Sequence, residues 1–165
     1  MTDAELLAEY ERAGEALRAA VAGLTREQLL ARPVPGKWST QEVIVHLADA
    51  DLAFAHRLKR IIAEDRPTYN AWSEGDFVAR LCYDAQSVDD AIVQVEATHR
   101  QMTRVFRALP PGWLDRTGTH AQRGEQSARQ VLEFATWHVS HHLGFVAEKR
   151  ARLIAAASSH GTETA

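Results

Sequence analysis

The sequence predicts an all-α protein that folds as a four-helix bundle. Its prolines fall in three places and leave four long proline-free stretches, each of which begins with a residue able to cap a helix. Within these stretches apolar residues recur at spacings of three and four, as they do along one face of a helix. No stretch alternates convincingly with a period of two, so no sheet is expected. Four amphipathic helices in one small chain are typical of a four-helix bundle.

The long helices are predicted over residues 2–23, 39–64, 87–108 and 127–157. Three of them begin with a capping box, in which Ser or Thr is followed three residues later by Glu or Gln: Thr2 and Glu5, Ser39 and Glu42, Ser127 and Gln130. The other begins at Ser87, and the acidic residues that follow it suit the positive end of the helix dipole. A minor helix is predicted over 25–31. The segment 65–86 is too long for a simple hairpin and carries four aromatic residues, so it is expected to pack across the bundle.

Length and composition predict a single soluble domain over residues 1–157, followed by a flexible polar tail over 158–165. The formal net charge of -3 gives no electrostatic reason to expect nucleic acid or an anionic membrane as a partner. The lone Cys82 excludes an internal disulfide framework and is consistent with a reducing, cytoplasmic compartment. The acidic start and the lack of an apolar run of ~20 residues predict neither a signal peptide nor a membrane span.

Three of the eight histidines form a candidate metal site. His138 and His142 lie four residues apart, so they share one face on the core side of the last helix. Two such imidazoles can bind one metal ion at ~2.0–2.1 Å, and His46, which faces inward from the second long helix, is the best candidate for a third ligand. The alternative is that these histidines fill the core and are hydrogen bonded to other protein groups.

The sequence positions of the other histidines indicate their roles less clearly. His99 lies on the apolar face of the third long helix and either joins the site or fills the core. His141 lies at the edge of the apolar face of the last helix, where it is a boundary residue, a fourth ligand or a proton carrier. Surface or loop positions are expected for His56, His120 and His160. Gly144, inside the last helix, either permits close helix packing or leaves room for a ligand beside the metal.

The chain carries three segments that occur together in a known family: Trp38–Asp49, Pro67–Trp72 and Trp137–Leu143. The first contains a Trp-Ser pair followed by Glu and His-Leu, the second is aromatic, and the third contains two histidines four residues apart. In this order and at this spacing they resemble the DinB-like (damage-inducible) four-helix-bundle metalloproteins. The resemblance covers nearly the whole chain.

The resemblance implies a fold and a site. The metal triad of the family would correspond to His46, His138 and His142, the same three histidines that the helix geometry selects. The bundle would be of the up-down-down-up type, with 65–86 as the long crossover between the second and third long helices. The resemblance also implies a homodimer and an association with low-molecular-weight thiols.

Residues near the proposed triad are assigned further roles. Asp49, one turn after His46, is expected to orient an imidazole. Arg57, on the same face, pairs either with an acidic group of the substrate or with a carboxylate at the end of the helix. Tyr69 and Trp72 are expected to form a wall of the pocket. No inward-facing carboxylate is evident, so the general base is unassigned.

Three neutral imidazoles leave at least one coordination position open, which suits catalysis better than a structural zinc site. The sequence therefore predicts a protein that binds one divalent transition metal ion (Zn, Ni or Fe) and acts on a small molecule, as a hydrolase or as a thiol transferase. That the thiol would be of low molecular weight is what the resemblance to the DinB-like family implies. The competing hypothesis is a non-catalytic stress protein that binds a metal or a small molecule.

Overall fold

A computed structural model describes residues 1–160, with all their side chains except those of residues 157, 159 and 160. The helices are α1 (Asp3–Glu11), α2 (Ala13–Val21), α3 (Arg26–Leu30), α4 (Thr40–Ala63), α5 (Glu74–Arg80), α6 (Val88–Ala108) and α7 (Ala128–His160), with single 3-10 turns at Tyr83–Ala85 and Trp113–Asp115. The strands are β1 (Thr68–Tyr69), β2 (Thr117–His120) and β3 (Gly124–Ser127). Helix α7 continues over the first three residues of the predicted tail, and the rest of that tail lies outside the described residues, as does the side chain of His160.

The helices begin where their caps predict. At α4 the side chain of Ser39 accepts a hydrogen bond from the backbone of Glu42, and the Glu42 carboxylate accepts one from the backbone of Ser39. Ser127 and Gln130 form the same reciprocal pair at the start of α7. Ser87 caps α6. These local hydrogen bonds satisfy backbone groups that have no partner within the helix, which is why the starts can be read from sequence.

The predicted helix over 2–23 is wrong in one respect, because it is divided at Arg12 into α1 and α2. The N–H of Arg12 donates to the carbonyl of Glu9, three residues back, instead of continuing the α-helical pattern. After this turn α2 approaches α6 so closely that any side chain at Gly14 would clash with Glu96. The tight packing of α2 against α6 therefore depends on glycine at position 14.

Helix α4 lies at the centre of the bundle. It packs against α6 and α7, while α1 and α2 pack against the same two helices. Every residue of Thr40–Ala48 is buried, and the apolar ones belong to a core that also includes Ile92 and Val139. The four-helix bundle is therefore confirmed, whereas the up-down-down-up order stays a prediction. In the described part of the chain, no helix combines the length and the apolar character needed to cross a lipid bilayer.

The expectation that the chain contains no sheet is wrong. Strand β1 pairs in parallel with β2, so that Thr68 lies opposite Thr119, and β2 pairs antiparallel with β3. The strands are two to four residues long, too short to show a period of two, and β1 and β2 are joined only by tertiary packing. A Cβ at Gly118 would lie 3.0 Å from Ile61 Cγ1 and from the backbone oxygen of Pro67, so the close approach of β2 to α4 and β1 favours glycine here. The sheet thereby fixes the β2–β3 turn at one end of the bundle.

Candidate metal centre

Three histidines from two helices meet at one point of the bundle. Helices α4 and α7 face each other and bring His46 together with His138 and His142. One ring nitrogen from each residue lies within 4.8 Å of the others, and the Nε2 atoms of His46 and His138 are 3.4 Å apart. Nitrogens that bind a tetrahedral zinc ion at ~2.0–2.1 Å are separated by about 3.3 Å. The cluster therefore fits a transition metal ion with little adjustment.

The three imidazoles are held in the neutral form that metal binding requires. Burial lowers the pKa of His46 to about 4 and that of His142 to about 4, and each is lowered further by a neighbouring histidine. Burial, followed by the neighbouring histidines, lowers the pKa of His138 to about 3. The buried Nδ1 atoms of His46 and His142 have no hydrogen-bond partner among the described residues. Core-filling histidines are ordinarily hydrogen bonded, so these surroundings fit a ligand site better.

A cavity of about 460 Å³ opens onto the three histidines. Its walls are largely aromatic. The ring of Trp72, from the segment between α4 and α6, lies 5.6 Å from that of His46, and Phe54 and Phe134 approach the ring of His138 at 5.6 and 6.0 Å. Such a volume suits a small molecule, and the apolar walls exclude water from its inner end.

Glu74 supplies the carboxylate that sequence reasoning did not find. It is the first residue of α5, which Ser73 caps, and its Oε2 lies 3.7 Å from Nε2 of His46. The side chain is 62% exposed, so it faces the open part of the cavity. The Ser73 cap followed by acidic residues is the only local signal for this helix, and nothing in it indicates contact with a histidine about thirty residues earlier.

Two arginines line the same cavity as the three histidines. Arg57 is only 9% exposed, and its guanidinium lies 5.7 Å from the Phe54 ring and 5.5 Å from the Tyr69 ring. Arg123, on the turn between β2 and β3, lies over the ring of Phe134 at 4.8 Å. Burial lowers the pKa of Arg57, and the nearby charge of Arg123 lowers it further.

His120 was expected at the surface or in a loop, and this prediction is wrong. It ends β2, is 3% exposed and lines the cavity. Its Nδ1 accepts a hydrogen bond from the backbone of Gln122. Burial lowers its pKa, as do the charges of Arg57 and Arg123. The pairing of β1 with β2 places it there, and that pairing leaves no signal in the sequence.

Two predicted site residues lie away from the cavity lining. The Asp49 carboxylate accepts a hydrogen bond from the Tyr83 hydroxyl and not from an imidazole, so its expected orienting role is not formed. His99 is buried on α6, where Nε2 lies 2.6 Å from Asp51 Oδ1 and Nδ1 lies 2.5 Å from the Tyr10 carbonyl oxygen. Of the two interpretations for His99, the structure supports the core residue.

The other predicted residues lie at or behind the cavity wall. His141 is exposed at the rim, stacked on Trp137 with 4.6 Å between ring centroids. Tyr69 is buried behind Arg57 and its hydroxyl donates to Gln126, so it supports the wall without lining the cavity. At Gly144 an added Cβ would meet nothing within 4 Å, so close helix packing does not explain this glycine.

Comparisons with known proteins agree with one another. Residues 9–146 match the family description of the DinB superfamily. A protein of Oceanobacillus iheyensis named "Putative metal-dependent hydrolase" is 29% identical over 142 residues, which are 86% of this chain and 82% of that protein. A protein of Bacillus mycoides with the same kind of name is 26% identical over 145 residues, 88% of this chain and 83% of that protein.

A solved structure shows the same fold. YfiT from Bacillus subtilis, described as "a probable metal-dependent hydrolase with an unusual four-helix bundle topology", superimposes with a TM-score of 0.86 over 93% of this chain and 90% of that one, at 20% identity. This likeness supports the bundle architecture. Because the family match spans well over half of its length, this chain belongs to the DinB superfamily.

Proposed function

We propose that this protein is a metal-dependent hydrolase of small molecules in which His46, His138 and His142 bind one divalent transition metal ion. The observation that carries the proposal is the convergence of three neutral ring nitrogens within 4.8 Å at the inner end of a cavity of about 460 Å³. The names of the relatives support it. When bound by these three nitrogens, a divalent ion would lower the pKa of a water molecule towards ~7 and would polarise a carbonyl or phosphoryl group of the substrate.

The side chains around the three histidines transfer protons and exclude water. Glu74, 3.7 Å from His46 Nε2, is placed to take a proton from an attacking water and to return it to a leaving group. Trp72 and Phe54 keep bulk water from the inner end, which strengthens the electrostatic interactions there. The exposed His141 at the rim is proposed as the proton carrier of the site.

Metal analysis tests the binding half of the proposal. Protein purified without a nickel column should contain about one transition metal ion per chain, and His138→Ala or His142→Ala should lose most of it. His56→Ala, which removes an exposed histidine of the same helix as His46, is the matched control and should keep the metal. Less than a tenth of one ion per chain in the unaltered protein, with no thermal stabilisation by added Zn²⁺ or Ni²⁺, would refute metal binding.

Activity tests the catalytic half. On a panel of esters, amides and phosphate esters, Glu74→Gln should keep its metal while kcat falls about 100-fold or more, the usual effect of removing a general base. Asp76→Asn removes a carboxylate of the same helix whose ion pair is with Arg80, so it should leave kcat unchanged. If the metal-loaded protein hydrolyses nothing but transfers a thiol to an electrophile, the predicted thiol transferase replaces the hydrolase. Metal binding with neither activity favours the non-catalytic protein. The homodimer and the cytoplasmic location stay predictions.

A further inference from the structure

Arg57 is a buried cation that has no carboxylate partner among the residues that the structure describes. Its Nη2 donates a hydrogen bond to the carbonyl oxygen of Asn70 at 3.0 Å, and two aromatic rings flank the guanidinium. Many other arginines of the described chain form ion pairs, for example Arg18 with Glu96 at 2.9 Å. A guanidinium has five N–H donors, and one carbonyl with two rings satisfies few of them. The cavity that Arg57 lines is where the others can find an acceptor.

A second guanidinium and an imidazole share this part of the cavity. Arg123 contacts the Phe134 ring and has no ion pair among the described residues. His120 accepts a hydrogen bond at Nδ1, so its neutral form carries the proton on Nε2 and is a further donor. All three groups line the same cavity, and the Tyr69 ring lies 5.5 Å from the Arg57 guanidinium and 5.6 Å from the His120 ring. Two like charges that face one cavity without a counter-ion form a site for an anion.

The cavity combines aromatic walls with charged lining residues of both signs. Its one acidic lining residue, Glu74, lies beside the histidines and has no ion pair with either cavity arginine. The arginines are held instead by the aromatic walls. An anionic group in the cavity is attracted to Arg57 and Arg123 and repelled by Glu74, so a substrate with one anionic end has a preferred orientation.

We propose that the cavity selects substrates with a terminal oxyanion, a carboxylate or a phosphate, which Arg57 and Arg123 bind while the reacting bond lies at the three histidines. This inference rests on the proposed function only for the reaction at the three histidines, and the binding of the anion does not depend on it. His120 donates a third hydrogen bond to the oxyanion. The selected substrates are small organic acids or phosphorylated compounds rather than neutral esters.

A pair of thiol probes measures the selectivity in the cobalt-substituted protein, because binding of a thiolate changes the cobalt absorption spectrum. The two probes are 3-mercaptopropionate and 2-mercaptoethanol, which are similar in size and differ in the carboxylate. The unaltered protein should bind the carboxylate probe at least tenfold more tightly. Arg57→Gln and Arg123→Gln should bring the ratio of the two dissociation constants to within about twofold of one, with the affinity for 2-mercaptoethanol unchanged.

Arg104→Gln is the matched control, because Arg104 lies exposed on α6, which does not line the cavity. It should keep the tenfold preference. Arg57→Lys should retain part of it. Arg57 also packs against aromatic rings, so its variants can fail to fold. In that case Arg123→Gln is the decisive comparison, because Arg123 is exposed on the turn between β2 and β3. A ratio near one in the unaltered protein, or a ratio that survives Arg123→Gln, overturns the anion site while the proposed function stands.

Competition identifies the anion and separates this inference from the metal proposal. Succinate or inorganic phosphate should displace 3-mercaptopropionate, and the stronger competitor shows which oxyanion the site prefers; failure of both overturns the inference. If no metal can be loaded, the proposed function fails by itself. Calorimetric titration of the metal-free protein with phosphate and succinate then decides the anion site: binding that weakens at least tenfold in Arg123→Gln supports it, and no binding overturns it.

Discussion

Acidification of the metal-free protein from pH 7 to pH 5 should lower its free energy of unfolding steeply, because of the three histidines at the candidate site. Burial holds the pKa of His46 and His142 at about 4 and that of His138 at about 3, whereas an unfolded histidine has a pKa near 6.5. Below pH 6.5 the unfolded chain therefore binds protons that the folded chain does not. Stability is complete above about pH 6.5 and is lost as the pH falls towards 4.

The size of the loss follows from these values. One pKa unit corresponds to about 1.4 kcal/mol, and pH 5 lies about 1.5 units below the unfolded pKa and still above the folded ones. Each histidine then contributes about 2 kcal/mol, and the three together about 6 kcal/mol. A domain of this kind is ordinarily stable by about 5–15 kcal/mol, so the metal-free protein should be close to unfolding at pH 5. Carboxylates with lowered pKa values, such as Glu96, titrate mainly below this window.

Urea denaturation followed by circular dichroism, after treatment with a chelator, measures the effect at each pH. In His138→Gln the decrease in the free energy of unfolding between pH 7 and pH 5 should be smaller by about 2 kcal/mol. The reason is that one of the three histidines that stay unprotonated in the folded protein is removed. His56→Gln, at an exposed position of α4, should keep the full loss. A difference below about 2 kcal/mol between pH 7 and pH 5, or an equal loss in His138→Gln, would refute the argument that burial keeps these imidazoles neutral.

Three further predictions concern the framework around the site. Gly118→Ala should destabilise the protein and lower the affinity for anions, because a Cβ would press on Ile61 and displace the sheet; thermal melts and phosphate titration measure both. Gly144→Ala should raise the melting temperature by about 2–4 °C, since an exposed helical glycine with open space around it costs about 1 kcal/mol relative to alanine; a drop in stability contradicts this. Asp51→Ala should cost about 3 kcal/mol in urea denaturation, because it leaves Nε2 of the buried His99 without its partner, and an unchanged midpoint would disprove it.

The parts of the molecule that depend on neighbours along the chain could be predicted from the sequence. The starts of α4, α6 and α7 follow from a capping side chain and a backbone group three residues away. The shared face of His138 and His142 follows from the 3.6-residue period of a helix. The inward direction of His46 follows from the apolar stripe of its own helix. Each of these features belongs to one helix, so capping residues and helical spacing were sufficient to predict it.

The chemistry beyond the triad was decided by contacts between distant segments. Glu74 approaches His46 because α5 lies against α4, and no pattern within α5 indicates that contact. Arg123 and His120 reach the cavity because β2 pairs with β1, about fifty residues earlier, through strands too short to show alternation. Local hydrogen bonds and helical spacing therefore specify α4, α6, α7 and the candidate ligands His46, His138 and His142 in the sequence. The carboxylate and the cations around those ligands lie on short elements and turns, which owe their positions to packing with the rest of the fold, so they become apparent in the folded structure alone.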